Sequence, residues 1–128
     1  MTTILEQEIS SQPEVVAHLL DQEIGRVTSI VAQLPHFDYT LIAARGTSDH
    51  AAAYAKYAWA ALAGYPVALA TPSLYTLYDT PPQMTNALVV GISQSGQSPD
   101  MVAVLEGVRQ GQEPFVVGAE EVVHGRAL

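Results

Sequence analysis

The chain contains no cysteine. That excludes a disulfide scaffold, thiolate-bound zinc and a cysteine nucleophile, and it fits a reducing compartment. Positive charge is scarce: 5 Lys and Arg stand against 13 Asp and Glu, a formal net charge of -8 over 128 residues. So acidic a chain repels phosphate backbones at long range, and no nucleic-acid partner is expected. An anionic ligand stays open, because the free amides of a helix N-terminus hold phosphate even inside an acidic protein. No apolar run reaches the roughly 18 residues of a membrane span. The opening MTTILEQEIS carries acid where a secretory leader carries base. The expectation is a cytoplasmic protein with no membrane partner. The 9 Gly and 8 Pro follow no period, so nothing fibrous is indicated. What is abundant is apolar side chain, 48% against 14% charged. That suffices for one compact core, and the length does not suffice for two full domains.

Ser11, Pro13 and Glu14 read as a helix start, with Ser11 as cap and Pro13 in the first turn. Apolar residues then recur at Val16, Leu20, Ile24, Val27, Val31 and Leu34, a helical spacing that ends at Pro35. Gly25 weakens its middle and is a candidate break. Tyr39 to Ala44 is a short apolar run of the kind buried strands show. An alanine-rich helix from about Asp49 to Ala63 follows, stopped by Gly64. Pro66 to Ala70 reads as a second strand, and Thr71 to Pro82 as a loop with a helical turn after Ser73. Ala87 to Ile92 is a third strand. Pro99 opens a helix with Met101, Val102, Leu105 and Val108 on one face, and Gly111 ends it. Phe115 to Val117 is a fourth strand, and the residues from Ala119 to Leu128 hold no convincing further one. Strands alternating with helices predict an α/β fold, a three-layer α/β/α sandwich with a parallel sheet of four to five strands. The domain organisation expected is a helical segment over 1–36 and the α/β domain over 37–128.

Two strand-to-helix junctions can carry chemistry. Arg45-Gly46-Thr47-Ser48 follows the first strand, and the run from Ser93 to Ser98 follows the third. In open α/β sheets ligands bind outside the carboxyl ends of the strands. Each junction offers hydroxyls, a glycine that lets backbone approach a ligand, and a helix N-terminus that favours an anion. Neither is a Walker A loop or a G-x-G-x-x-G dinucleotide loop. Ser and Thr before a helix are also ordinary caps. Three serines and two glutamines in six residues exceed what one cap needs, which favours a ligand at the second junction.

The segment Gly91-Ile92-Ser93-Gln94-Ser95-Gly96-Gln97-Ser98-Pro99-Asp100 resembles the phosphate loop of the SIS (sugar isomerase) domain family. Ala44-Arg45-Gly46-Thr47-Ser48-Asp49-His50-Ala51 resembles that family's first loop, and Pro72-Ser73-Leu74-Tyr75 fits as well. Within the family the likeness is to the N-terminal part of the isomerase half of the glutamine–fructose-6-phosphate aminotransferases and to amino-sugar-phosphate isomerases and deaminases. It spans about residues 1–118. The resemblance implies a flavodoxin-like sheet and a phosphorylated hexose or amino sugar as partner. Ser93, Gln94, Ser95 and Ser98 would bind the phosphate, with Gly96 permitting close approach. Thr47 and Ser48 would contact the sugar phosphate on a turn shaped by Gly46. Gln97 stands where the family commonly has an acid, and Ser98 where it commonly has Thr.

Family enzymes carry two such domains, and their catalytic Glu, Lys and His come mainly from the second domain and the tail. Nothing in this chain matches those segments, so its catalytic residues are unknown and a domain truncated at its C-terminal end is expected. The implied reaction of the parent protein is aldose–ketose isomerisation with gain or loss of an amine at C2. The alternatives are a non-catalytic sugar-phosphate sensor and an inert fragment. Arg45 can pair with a phosphate or form a salt bridge to Asp49 or another acid. His50 and the sole lysine, Lys56, read as helix-surface residues. Tyr54, Tyr57, Trp59, Tyr65, Tyr75 and Tyr78 read mostly as core packing, some as a subunit interface. No His, Asp and Glu set has metal-ligand spacing, so neither metal nor cofactor is implied. An exposed sheet edge, together with the pairing of domains in this family, predicts a homodimer.

Overall fold

The computed structural model describes residues 3–95, 98–110, 115–117 and 122–123. The chain divides into two units, residues 1–35 and 36–128.

The first unit is α1 (Ile4–Gln33). It starts earlier than Ser11. Thr3 and Glu6 form a reciprocal capping box: the Glu6 amide donates to Thr3 Oγ1 at 3.2 Å, and the Thr3 amide donates to Glu6 Oε2 at 2.7 Å. That backbone bond, reinforced by the Thr3 hydroxyl, holds the Glu6 carboxyl below the usual glutamate range. Ser11 lies inside the helix and donates to the Glu8 carbonyl. Pro13 is interior too, where it cannot donate to the carbonyl four residues back. Gly25 does not break the helix. The apolar stripe is exposed along its length, with Ile9, Val16, Leu20, Ile24, Val27 and Val31 all about half accessible.

The second unit contains β1 (Tyr39–Ala44), α2 (Ser48–Ala63), β2 (Val67–Leu69), α3 (Ser73–Thr76), β3 (Ala87–Ile92), α4 (Pro99–Gln110), β4 (Phe115–Val117) and β5 (Val122–Val123). The strands form one sheet in the order β2-β1-β3-β4-β5. The first four are parallel, and β5 is antiparallel to β4. The antiparallel strand corrects the expectation that nothing pairs after Val117. Two valines are too short a run to show a period. Residues 118–121 are also too few for the crossover a parallel partner needs.

Alternation along β1 sorts the core. Leu41 and Ala43 pack with Ala87, Val89, Met101, Val104 and Val108, beneath α4. Ile42 and Ala44 pack with Ala52 of α2, beside Ala55, Val67, Leu69 and Ile92. Helices thus cover both sheet faces, the three-layer α/β/α sandwich. The fully buried Ile42, Val89 and Val104 each contribute roughly 1.5–3 kcal/mol.

Two details differ from the sequence reading. Val104, not Val102, completes the buried stripe of α4; Val102 is exposed. On α2 the sheet-facing positions hold alanines, which let helix and sheet approach closely. The large side chains fall on the outer faces, so Tyr54, Tyr57 and Leu62 are 76–87% exposed. Tyr78 is exposed as well, whereas Tyr65 is half-buried against Phe37, with ring centroids 4.6 Å apart.

Candidate functional site

Strands β1 and β3 are neighbours that end level, with Ala44 opposite Ile92. Chain order reverses between them, since β1 continues to β2 on one side while β3 leads to β4 on the other. That is the topological switch point at which doubly wound sheets open a crevice. Both polar junctions leave the sheet there.

The first junction turns sharply at Gly46, whose φ of 63° lies in the left-handed region that favours glycine. A Cβ there would touch nothing within 4 Å, so conformation rather than space fixes the residue type. The Gly46 carbonyl accepts from the Asp49 amide, and the Thr47 carbonyl accepts from the His50 amide, as α2 begins. Thr47 occupies the cap position, yet its side chain makes no capping bond. Ordinary capping therefore does not account for that hydroxyl.

At the second junction Ser93 is half-buried, and Gln94 and Ser95 are exposed. Gly96 and Gln97 lie outside the described residues. The Ser98 carbonyl accepts the Val102 amide at 3.0 Å, which places Ser98 at the cap of α4. Pro99 takes the first helical position, where a missing N–H costs nothing. A Cβ on Gly91 would lie 2.9 Å from Met101 Cε, the far end of a flexible side chain, and 3.4 Å from Leu105 Cδ1.

The two junctions meet in a cleft of about 190 Å³. Arg45, Gly46, Thr47 and Ser48 form one wall; Ser93, Gln94, Ser95 and Ser98 form the other. All the described candidate residues are thus brought together. Ile92 and Met101 complete the lining. Sequence reading missed both, having placed Ile92 in the strand and Met101 in the helix core. The cleft is smaller than the roughly 300–1,000 Å³ that encloses a drug-sized ligand. It offers hydroxyls, an amide side chain and the positive end of a 12-residue helix, so its chemistry suits an anionic group.

Arg45 is the one charged side chain among the described lining residues. Its Nε lies 3.1 Å from Asp100 Oδ2, in the first turn of α4. The salt bridge open at the sequence level, to Asp49 or another acid, is thus made to another acid, Asp100. His50 and Lys56 are exposed on α2, as their surface reading anticipated. Among the described residues no cluster of His, Asp and Glu could hold a metal, and no helix is long and apolar enough to cross a membrane.

No family model matches the chain. A glutamine–fructose-6-phosphate aminotransferase (isomerizing) of Bordetella pertussis is 39% identical over 111 residues, 82% of this chain and 18% of that protein. The enzyme of the same name from Aquifex aeolicus is 32% identical over 117 residues, 91% of this chain and 19% of that one. The chain therefore spans under a fifth of these curated relatives. A crystal structure assigned as a phosphosugar isomerase, from Silicibacter pomeroyi, superposes with a TM-score of 0.75 at 37% identity, over 88% of this chain and 35% of that one. The tagatose-6-phosphate ketose/aldose isomerase of Escherichia coli shares the fold, with a TM-score of 0.71 at 20% identity, over 91% of this chain and 34% of that one.

Proposed function

The chain is a phosphosugar-isomerase-like (SIS) domain related to a segment of the glutamine–fructose-6-phosphate aminotransferases, and from that premise we propose that it binds a phosphorylated hexose or amino sugar at the β1/β3 cleft. Fructose 6-phosphate and glucosamine 6-phosphate are the candidate ligands. The observation that carries this reading is the convergence of two hydroxyl-bearing junctions, from distant parts of the sequence, on one small cleft at the switch point. The phosphate sits against Ser93, Gln94, Ser95 and Ser98, at the N-terminus of α4. Thr47 and Ser48, on the Gly46 turn, reach the sugar side. Neutral donors and backbone amides let an acidic chain hold a dianion without a lysine cluster.

The reaction proposed for a protein built like these relatives is aldose–ketose isomerisation with gain or loss of an amine at C2. Such a reaction shuttles a proton between C1 and C2 and needs a base of tuned pKa. The cleft walls described above supply hydroxyls and Arg45 but no His, Asp, Glu or Lys. That composition supports a division of labour in which this domain binds and orients while the base comes from elsewhere in the parent. It equally favours the second reading, a sugar-phosphate sensor without turnover. Residues 1–36 form a helical segment and 37–128 the SIS domain of a cytoplasmic protein. The exposed Tyr54, Tyr57 and Leu62 on α2 support a homodimer, which light scattering at one chain's mass would refute.

The deciding experiment is a thermal unfolding shift with fructose 6-phosphate and glucosamine 6-phosphate, using glucose as control. A ligand at about 100 times its Kd adds roughly 2.7 kcal/mol, a shift of several degrees. Phosphate-dependent shifts that vanish in Ser93→Ala/Ser95→Ala are expected. Equal shifts with glucose, or none at millimolar phosphosugar, would overturn the reading.

A further inference from the structure

The Arg45–Asp100 pair has a geometry that simple charge pairing does not require. Arg45 lines the cleft, while Asp100 is not among the lining residues. The contact engages Nε, the inner nitrogen of the guanidinium, at 3.1 Å. A guanidinium carries five N–H donors in a rigid planar fork. The contact is made through Nε; the two terminal nitrogens carry the fork's other four donors. The Arg45 side chain is 59% exposed and that of Asp100 28%, so the carboxylate is the more sheltered, anchoring member. Asp100 is itself fixed by its place in the first turn of α4, where a carboxylate complements the helix dipole.

Resting on the phosphosugar reading above, we propose that Asp100 is a positioning residue that holds Arg45 at the cleft rim, where the guanidinium supplies the charged donor to the ligand's phosphate. The Ser-rich loop then provides the neutral part of the phosphate cradle from α4. Arg45 provides the charged part from the opposite junction, and the ion pair ties the two together. Without its anchor the long arginine side chain loses the orientation that makes a bidentate contact effective.

The role can be tested because it opposes plain electrostatics. Removing a carboxylate beside an anion site should tighten anion binding; removing a positioning carboxylate should weaken it. The experiment is calorimetric titration of the full chain with fructose 6-phosphate and with inorganic phosphate, at low and high salt. Wild type is compared with R45Q, R45K, D100A, D100N and R45Q/D100A, each checked for the native circular dichroism spectrum. Losing a charge-assisted bond should weaken phosphate binding about tenfold or more in R45Q. R45K should also weaken it, since an ammonium cannot engage Asp100 and the phosphate through one planar fork. D100A should weaken binding several-fold, and D100N, whose amide oxygen still accepts from Nε, should restore it. In the R45Q background D100A should cause no further loss, because Asp100 acts through Arg45. Tighter or unchanged binding in D100A, or additive losses in the double variant, would overturn the proposal. Binding by wild type that R45Q leaves intact would overturn it while sparing the phosphosugar reading. Failure of wild type to bind either anion would overturn both.

Discussion

Adding one methyl group at Gly107 sets two opposing forces against each other on the helix that carries the Ser-rich junction. Gly107 lies inside α4, where glycine is roughly 0.8–1 kcal/mol less favourable than alanine. On helix propensity alone, Gly107→Ala should stabilise the protein. The structure reverses that expectation. A Cβ at Gly107 would sit 2.6 Å from Cδ1 and 3.0 Å from Cε1 of Tyr75. Favourable carbon–carbon contact begins at about 3.5 Å, so ring or helix must move by nearly 1 Å. The ring has little room, because Tyr75 packs against the core cluster of Leu41, Val89 and Val104. Overpacking of this kind costs typically about 1–3 kcal/mol, which outweighs the propensity gain. The net expectation is a loss of about 1 kcal/mol. For a unit the size of residues 36–128 that lowers Tm by roughly 4–8 °C. Thermal unfolding followed by circular dichroism measures it directly. Combining the change with Tyr75→Leu supplies the control. With the ring gone, the same alanine should become neutral or stabilising relative to Tyr75→Leu alone. A Gly107→Ala protein as stable as wild type would refute the reasoning, and so would one destabilised equally in both backgrounds.

Two further outcomes follow from the same region and from the first junction. The Tyr75 hydroxyl is buried without a hydrogen-bond partner, and burial, with a smaller contribution from Tyr39, raises its pKa above 10. Tyr75→Phe should therefore be neutral or stabilising by up to about 1 kcal/mol in urea unfolding. Because the folded pKa is the higher one, wild type should lose stability as pH rises above about 10; a Phe variant that keeps the full alkaline loss, or is clearly less stable at pH 7, contradicts this. At Gly46 a Cβ meets nothing, so Gly46→Ala should cost only the left-handed backbone penalty, about 1–2 kcal/mol. Gly46→Asn, which tolerates that region, should recover part of the loss, and equal stability of the Ala variant and wild type would show that the turn does not need its positive φ.

The sheet was legible because its strands are buried on both faces. Tyr39–Ala44 and Ala87–Ile92 are continuous apolar runs that end in polar junctions, and their bounds match the strands found. The stop at Gly64 was equally readable, since that residue adopts φ 71°. Other features depend on partners that a local pattern does not contain. The start of α1 was misplaced because the Ser11-Pro13-Glu14 signature looks like a first turn, while the Thr3/Glu6 box upstream prevails. The tyrosines of α2 resemble core residues in composition. Their exposure follows only once Ala52 is known to face the sheet. Asp100 as partner of Arg45 joins residues 55 positions apart, which only the parallel pairing of β1 and β3 brings together.

That pairing also changes how the glycine at the head of Gly91-Ile92-Ser93-Gln94-Ser95 should be understood. Read along the chain, it is one residue of the third apolar strand. In the folded chain its missing side chain faces Met101 and Leu105 of α4. Those contacts are the ends of flexible side chains, which a small added side chain would displace at little cost. Gly107, near the other end of α4, is different: there the helix receives the Tyr75 ring. One notch and one ion pair thus fix α4 against α3 and the first junction. For any anion bound at the N-terminus of α4, position matters as much as the donors themselves. A displacement of about 1 Å for a group that positions a reacting ligand can cost on the order of a hundredfold in rate. Gly107→Ala should therefore weaken phosphosugar binding, read by calorimetric titration, without removing any ligand contact.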